Sequence, residues 1–128
     1  MNTAKLSFII GAFLGLTGVI AGAMGAHALE KVLAPDQLDA FETAVRFQMY
    51  HSILLLILGI LIDRFRAPLF SWVMICWTVG IVMFSGSIYL LVLTPLKLGI
   101  VTPIGGSILI IGWGILLLWG IRFKQSHS

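Results

Sequence analysis

The side chains with the widest chemical reach in this sequence are three histidines, His27, His51 and His127. His27 and His51 fall where two antiparallel helices would bring them to similar depth, and facing histidines in a bundle can ligate haem or a metal. A long charged connection separates them, and no Cys/His spacing motif supports a metal centre. Each imidazole is therefore expected to hydrogen-bond a neighbour or interfacial water near a helix end. His127 stands in the polar tail 125–128 and is expected to take no part. Acid–base chemistry at depth would need a buried carboxylate, which is costly in a membrane and kept only for function. No Asp or Glu lies inside an apolar run, and Asp63 sits beside Arg64 at the edge of one. Small multidrug exporters share the size but depend on an embedded acid in their first span, which has no counterpart here. Proton antiport is disfavoured on that ground. The glycines at 105–106 and 112–114 lack a Walker Lys-Ser/Thr ending and a preceding strand, so they do not read as a phosphate cradle. No G-x-S-x-G elbow supports a serine nucleophile. The single cysteine, Cys76, reads as a small buried apolar residue. The residues thus assign no catalytic side chain, no metal ligand and no cofactor.

The elements that must position these residues are set by composition. The chain has 128 residues, 59% hydrophobic and 10% charged, with a mean hydropathy of +1.08. Soluble domains carry about 25% charged residues, so this inventory cannot build a surface facing water, and it is far too apolar for disorder. Residues 6–29, 47–62, 67–96 and 98–121 are free of Asp, Glu, Lys and Arg. A helix needs roughly 20 apolar residues to cross a bilayer, which three runs meet and the second narrowly misses. The expected fold is all-α: one transmembrane domain over 1–128, an antiparallel bundle of four helices spanning about 6–28, 47–63, 69–93 and 100–121. An amphipathic helix is expected between spans one and two.

The N-terminal run, with Lys5 ahead of it and Ala26-His27-Ala28 at its end, imitates a cleavable secretory signal. It is longer than a signal core of about 7–15 residues. It also holds Gly11, Gly15, Gly18, Gly22 and Gly25, whose four-three-four-three spacing lines one helical face. A discarded signal needs no such seam, whereas packed membrane helices use small residues to bring backbones together. In the connection that follows, Pro35 and Asp36 suit a helix start. Leu38, Phe41 and Val45 then recur on one face, and Glu42 is placed to pair with Arg46. This segment is expected to lie near the membrane surface and continue into span two, which explains the shortness of the second run.

The net charge of +3 and pI of about 9.4 do not signal a nucleic-acid partner, because the basic residues are dispersed. Four spans put both termini on one side, with Lys5, Arg64, Arg66, Arg122 and Lys124 against Lys31, Arg46 and Lys97. That bias places both termini in the cytoplasm. A C-terminal green fluorescent protein fusion is expected to fluoresce; a dark one beside an active phosphatase fusion would reverse the orientation.

Several motifs are dense in glycine and hydroxyl groups: Gly22-Ala23-Met24-Gly25-Ala26-His27-Ala28-Leu29, Phe47-Gln48-Met49-Tyr50-His51, Phe84-Ser85-Gly86-Ser87-Ile88-Tyr89 and Thr102-Pro103-Ile104-Gly105-Gly106. In this order they resemble the YgdD/YwdK family of small bacterial membrane proteins, the domain of unknown function 423. Members often carry Tyr-Gln in place of Phe47-Gln48, and Gly in place of Pro95. The resemblance implies a four-span protein of the bacterial inner (plasma) membrane and brings no established activity. The candidate polar cluster is His27, Gln48, Tyr50, His51, Ser85, Ser87, Tyr89, Lys97 and Thr102, expected toward the outer half of the bundle. The leading expectation is a non-enzymatic accessory or lipid-interacting protein. The alternatives are an oligomeric channel or small-solute transporter, with the glycine seam between subunits, and a haem- or quinone-binding redox module using His27 and His51. Expected partners are membrane lipid and either further copies of the chain or an unidentified membrane protein.

Overall fold

The computed structural model describes residues 2–125; His127 lies outside them. Four helices carry the fold: α1 (Thr3–His27), α2 (Pro35–Phe65), α3 (Pro68–Leu93) and α4 (Val101–Arg122), with a short 3-10 turn at Leu29–Lys31. All four are long and apolar enough to cross a membrane. Asn2 caps α1, its side-chain oxygen accepting from Lys5 N–H at 2.7 Å. Pro35 and Pro68 open α2 and α3, where a missing N–H costs nothing. The Gln37 side chain covers the free N–H of Ala34 at 3.1 Å. Arg66 ends α2 in the left-handed conformation, φ 53° and ψ 33°, which lets the chain reverse through Arg66 and Ala67 alone.

The amphipathic segment and span two form one unbroken helix of 31 residues. Nothing between Pro35 and Phe47 breaks it, and the apolar face of Leu38, Phe41 and Val45 runs straight into the span. Arg46 donates to Thr43 Oγ1 at 3.0 Å.

Interhelical contacts run in opposite senses along the chain. Ser7 meets Leu55 while Gln48 meets Leu14, and Gly80 meets Leu109 while Gly112 meets Trp77. The helices are therefore antiparallel. They stand in a row: α1 packs on α2, α2 on α3 and α3 on α4, with slight contact between α1 and α3 and no substantial contact between α1 and α4. A bundle in water would close that ring to hide its apolar faces. Lipid removes that incentive, because hydrocarbon tails solvate leucine as well as another helix does. Accordingly Phe13, Leu16, Leu117 and Ile121 all point outward from the end helices.

The core is made chiefly by the two central helices. Leu55 and Leu58 of α2 pack with Phe70, Val73, Trp77 and Ile81 of α3, and Leu109 of α4 joins them. Small residues set the approach of each outer helix. A Cβ added at Gly11 would lie 2.8 Å from Ser52 O, and one at Gly25 would lie 3.1 Å from the Phe41 ring. Gly15, Gly18 and Gly22 face Ser52, Met49 and Val45 in turn, so the whole seam is covered by α2 of the same chain. It is not left free for a subunit interface. At the end where α2 and α4 finish, Trp119 packs at a tilt against Phe70 (4.6 Å between centroids) and Phe123 (4.8 Å), with Phe65 beside them.

Candidate functional site

Gln48 is the node of the polar structure. It is 5% exposed on α2, facing the glycine seam of α1 on one side and α3 on the other. Its amide nitrogen donates to Leu14 O at 2.9 Å and to Thr17 Oγ1 at 2.8 Å, and its amide oxygen accepts from Tyr89 OH at 2.7 Å. One side chain thereby ties three helices together and uses both amide hydrogens. Thr17 in turn donates to Phe13 O at 2.9 Å, inside its own helix.

The other hydroxyls act pairwise. Ser7 donates to Leu55 O, Ser52 to Gly11 O and Ser85 to Ala44 O, each at 2.7 Å and each across a helix interface. Ser87 and Thr102 share a short bond that joins α3 to α4. Such bonds are possible because the small residues let a hydroxyl reach a neighbouring backbone. Two buried polar atoms have no partner among the described residues, Trp77 Nε1 and Thr78 Oγ1. The first lies against the bare backbone of Gly112.

His51 lies near the middle of α2. Its Nδ1 is 2.8 Å from Phe47 O, and its Nε2 accepts from Trp113 Nε1–H of α4 at 3.3 Å. A carbonyl only accepts, so Nδ1 carries the proton and the ring is the neutral tautomer. His27 is exposed at the last residue of α1, whereas the neighbour of His51, Ser52, is bonded to Gly11 O. At 1.5 Å per residue the two imidazoles stand roughly 20 Å apart along the bundle. They do not meet, and a haem held between them is not available to this fold.

The nine candidate residues thus separate. Gln48 and Tyr89 bond directly, Ser85 bonds one turn away at Ala44, Ser87 pairs with Thr102, and His51 joins Trp113. Tyr50 is 53% exposed on the outer surface beside Phe47, His27 is exposed at the end of α1, and Lys97 is exposed in the connection between α3 and α4. Sequence reasoning missed Thr17, Ser7, Ser52 and Trp113. Trp113 carried a signal: it sits far from either end of its span, although indole favours the boundary and needs an N–H partner when buried.

Four apolar antiparallel helices with polar bonds between them define a polytopic membrane protein. The chain belongs to the family described as protein of unknown function DUF423, whose model matches residues 21–106. A UPF0382 membrane protein of Staphylococcus aureus (strain bovine RF122 / ET3-1) is 41% identical over 120 residues, covering 93% of this chain and 98% of its own. The UPF0382 inner membrane protein YgdD of Escherichia coli (strain K12) is 34% identical over 124 residues, covering 96% and 95%. No solved structure matches the chain.

Proposed function

We propose that the protein is a non-catalytic component of the bacterial plasma (inner) membrane, with both termini in the cytoplasm, that works by contact with lipid. The observation that carries this reading is the use of the polar groups. Gln48 and His51 spend their hydrogen-bonding capacity on partners within the chain, and Ser7, Ser52 and Ser85 spend their protons on backbone carbonyls. A catalytic centre needs a polar atom free to meet substrate, and a solute path needs polar groups lining a channel. Charged residues line openings at one end of the bundle, beside Asp63 and Arg66 and beside Arg64 and Lys124, whereas the groove of about 360 Å³ between α2 and α4 is lined chiefly by Phe47, Phe84, Pro103, Leu109, Ile110 and Trp113, with His51 and Ser107 among them. The inner-membrane assignment draws on the printed name of the Escherichia coli relative. The terminal orientation draws on the basic residues at one end of the bundle.

Native mass spectrometry of the full chain released from mild detergent, with a visible spectrum of the same sample, tests the reading. Retained lipid masses and a featureless spectrum are expected. A chain that emerges bare, or that carries a chromophore, would contradict it.

A further inference from the structure

At the end of the bundle that holds both termini, an opening of about 420 Å³ lies between the starts of α1 and α3 and the end of α2. Thr3 and Ala4 line it from α1, Asp63 from α2, Arg66 from the turn and Ser71 from α3. The charge-free runs 6–29 and 67–96 begin here and the run 47–62 ends here, which sets the opening at headgroup depth. Its volume falls within the range for small-molecule sites, about 300–1,000 Å³.

Asp63 and Arg66 bring opposite full charges to this one opening and leave both unspent. Three residues apart on a helix, such a pair would ordinarily meet. Arg66 has left the helix, however: its φ of 53° makes it the one non-glycine residue in the left-handed region among those described. That conformation takes its side chain off the face that Asp63 occupies. No ion pair joins the two, and neither side chain makes a hydrogen bond among the described residues. On the cation's side, the first-turn N–H groups of Thr3 and Ala4 add partial positive charge, since the Asn2 cap serves Lys5 and Leu6. Asp63 is the single carboxylate at this end of the bundle. Arg64 and Lys124 line a separate opening on the other side of α2, so they do not neutralise it here.

A cation and an anion held apart in one interfacial opening are complemented by a molecule that carries both charges in reverse. A zwitterionic phospholipid headgroup does so at this depth. A purely anionic headgroup would satisfy Arg66 but set its own charge against Asp63. A quaternary ammonium has no N–H to give a carboxylate, whereas a primary ammonium has three. We propose, on the lipid-contacting reading, that this opening seats the headgroup of an aminophospholipid of the phosphatidylethanolamine class. Its phosphate accepts from the Arg66 guanidinium, with the Thr3 and Ser71 hydroxyls beside it, and its ammonium donates to the Asp63 carboxylate.

The test uses the full chain in nanodiscs of phosphatidylethanolamine, phosphatidylcholine and phosphatidylglycerol at equal fractions, with identical acyl chains. Native mass spectrometry of the chain released into mild detergent counts the headgroups that stay bound. The ethanolamine lipid is expected to be retained about tenfold over the choline lipid, the worth of one charge-assisted hydrogen bond. Asp63→Asn is expected to remove that preference and raise the glycerol lipid above both. Arg66→Asn, which tolerates the left-handed turn, is expected to lower retention of all three. Both positions are exposed, so the fold survives either change. Equal retention of ethanolamine and choline lipids by the parent, or a preference that Asp63→Asn leaves intact, overturns the headgroup assignment while the lipid reading stands. If the parent emerges with none of the three, alone or as a dimer, both fall.

Discussion

Replacing Gly105 with valine is expected to separate α3 from α4 and destabilise the protein by about 3 kcal/mol, at the top of the usual range for overpacking. The reason is what surrounds that position. A Cβ there would stand 2.5 Å from Phe84 N, 2.9 Å from Gly80 O and 2.9 Å from Met83 C, all of them backbone atoms. Backbone inside a helix cannot step aside as the end of a side chain can, so the whole hairpin must open. Opening it pulls Leu109 away from Gly80 and breaks the bond between Ser87 and Thr102. Alanine should show the same effect at reduced size. Gly114→Ala is the control, since nothing lies within 4 Å of its added Cβ. Reversible unfolding in bicelles checks the series, and equal stability for the 105 and 114 variants would contradict the packing described.

On the other hairpin, Gly11→Val is expected to cost about 2–3 kcal/mol by the same mechanism. Its added Cβ would meet Ser52 O at 2.8 Å and Leu56 N at 3.0 Å, again backbone. The clash also displaces the hydroxyl of Ser52 from Gly11 O, removing a buried interhelical bond. Gly18→Ala set against Gly11→Ala makes the informative comparison. Its nearest neighbour is closer still, 2.6 Å, but that atom is the sulfur of Met49, which can swing away. The expected order of damage is therefore Gly11 well above Gly18, the reverse of what the shortest distances suggest. Unfolding measured on both variants decides it, and damage that followed distance alone would refute the argument.

How much of this was legible in the sequence follows from which features are periodic. The five glycines of α1 share a face by spacing alone, and the structure lays that face on α2. The four spans follow from charge-free length. The start of α2 was legible as well, because Pro35 and Asp36 suit a helix start and the helix runs from Pro35 to Phe65 without a break. Partnerships were not legible. Nothing in the spacing of Thr17, Gln48 and Tyr89 says that they meet, and Trp113 reaches His51 across 62 positions of sequence. The open row of helices was equally hidden, since it depends on which apolar faces lipid is left to cover.

The central claim is that polar side chains inside this membrane protein serve as bonds between helices. The most direct measurement is a double-mutant cycle of Gln48→Leu and Tyr89→Phe, followed by reversible unfolding in bicelles. Hydrogen bonds between membrane helices average about 0.6 kcal/mol in such cycles and reach about 1.7. A coupling within that range is predicted, because the loss of Gln48 leaves the half-buried Tyr89 hydroxyl without its partner. A coupling of zero, with Gln48→Leu as stable as the parent, would mean that the amide is kept for something other than holding the bundle together.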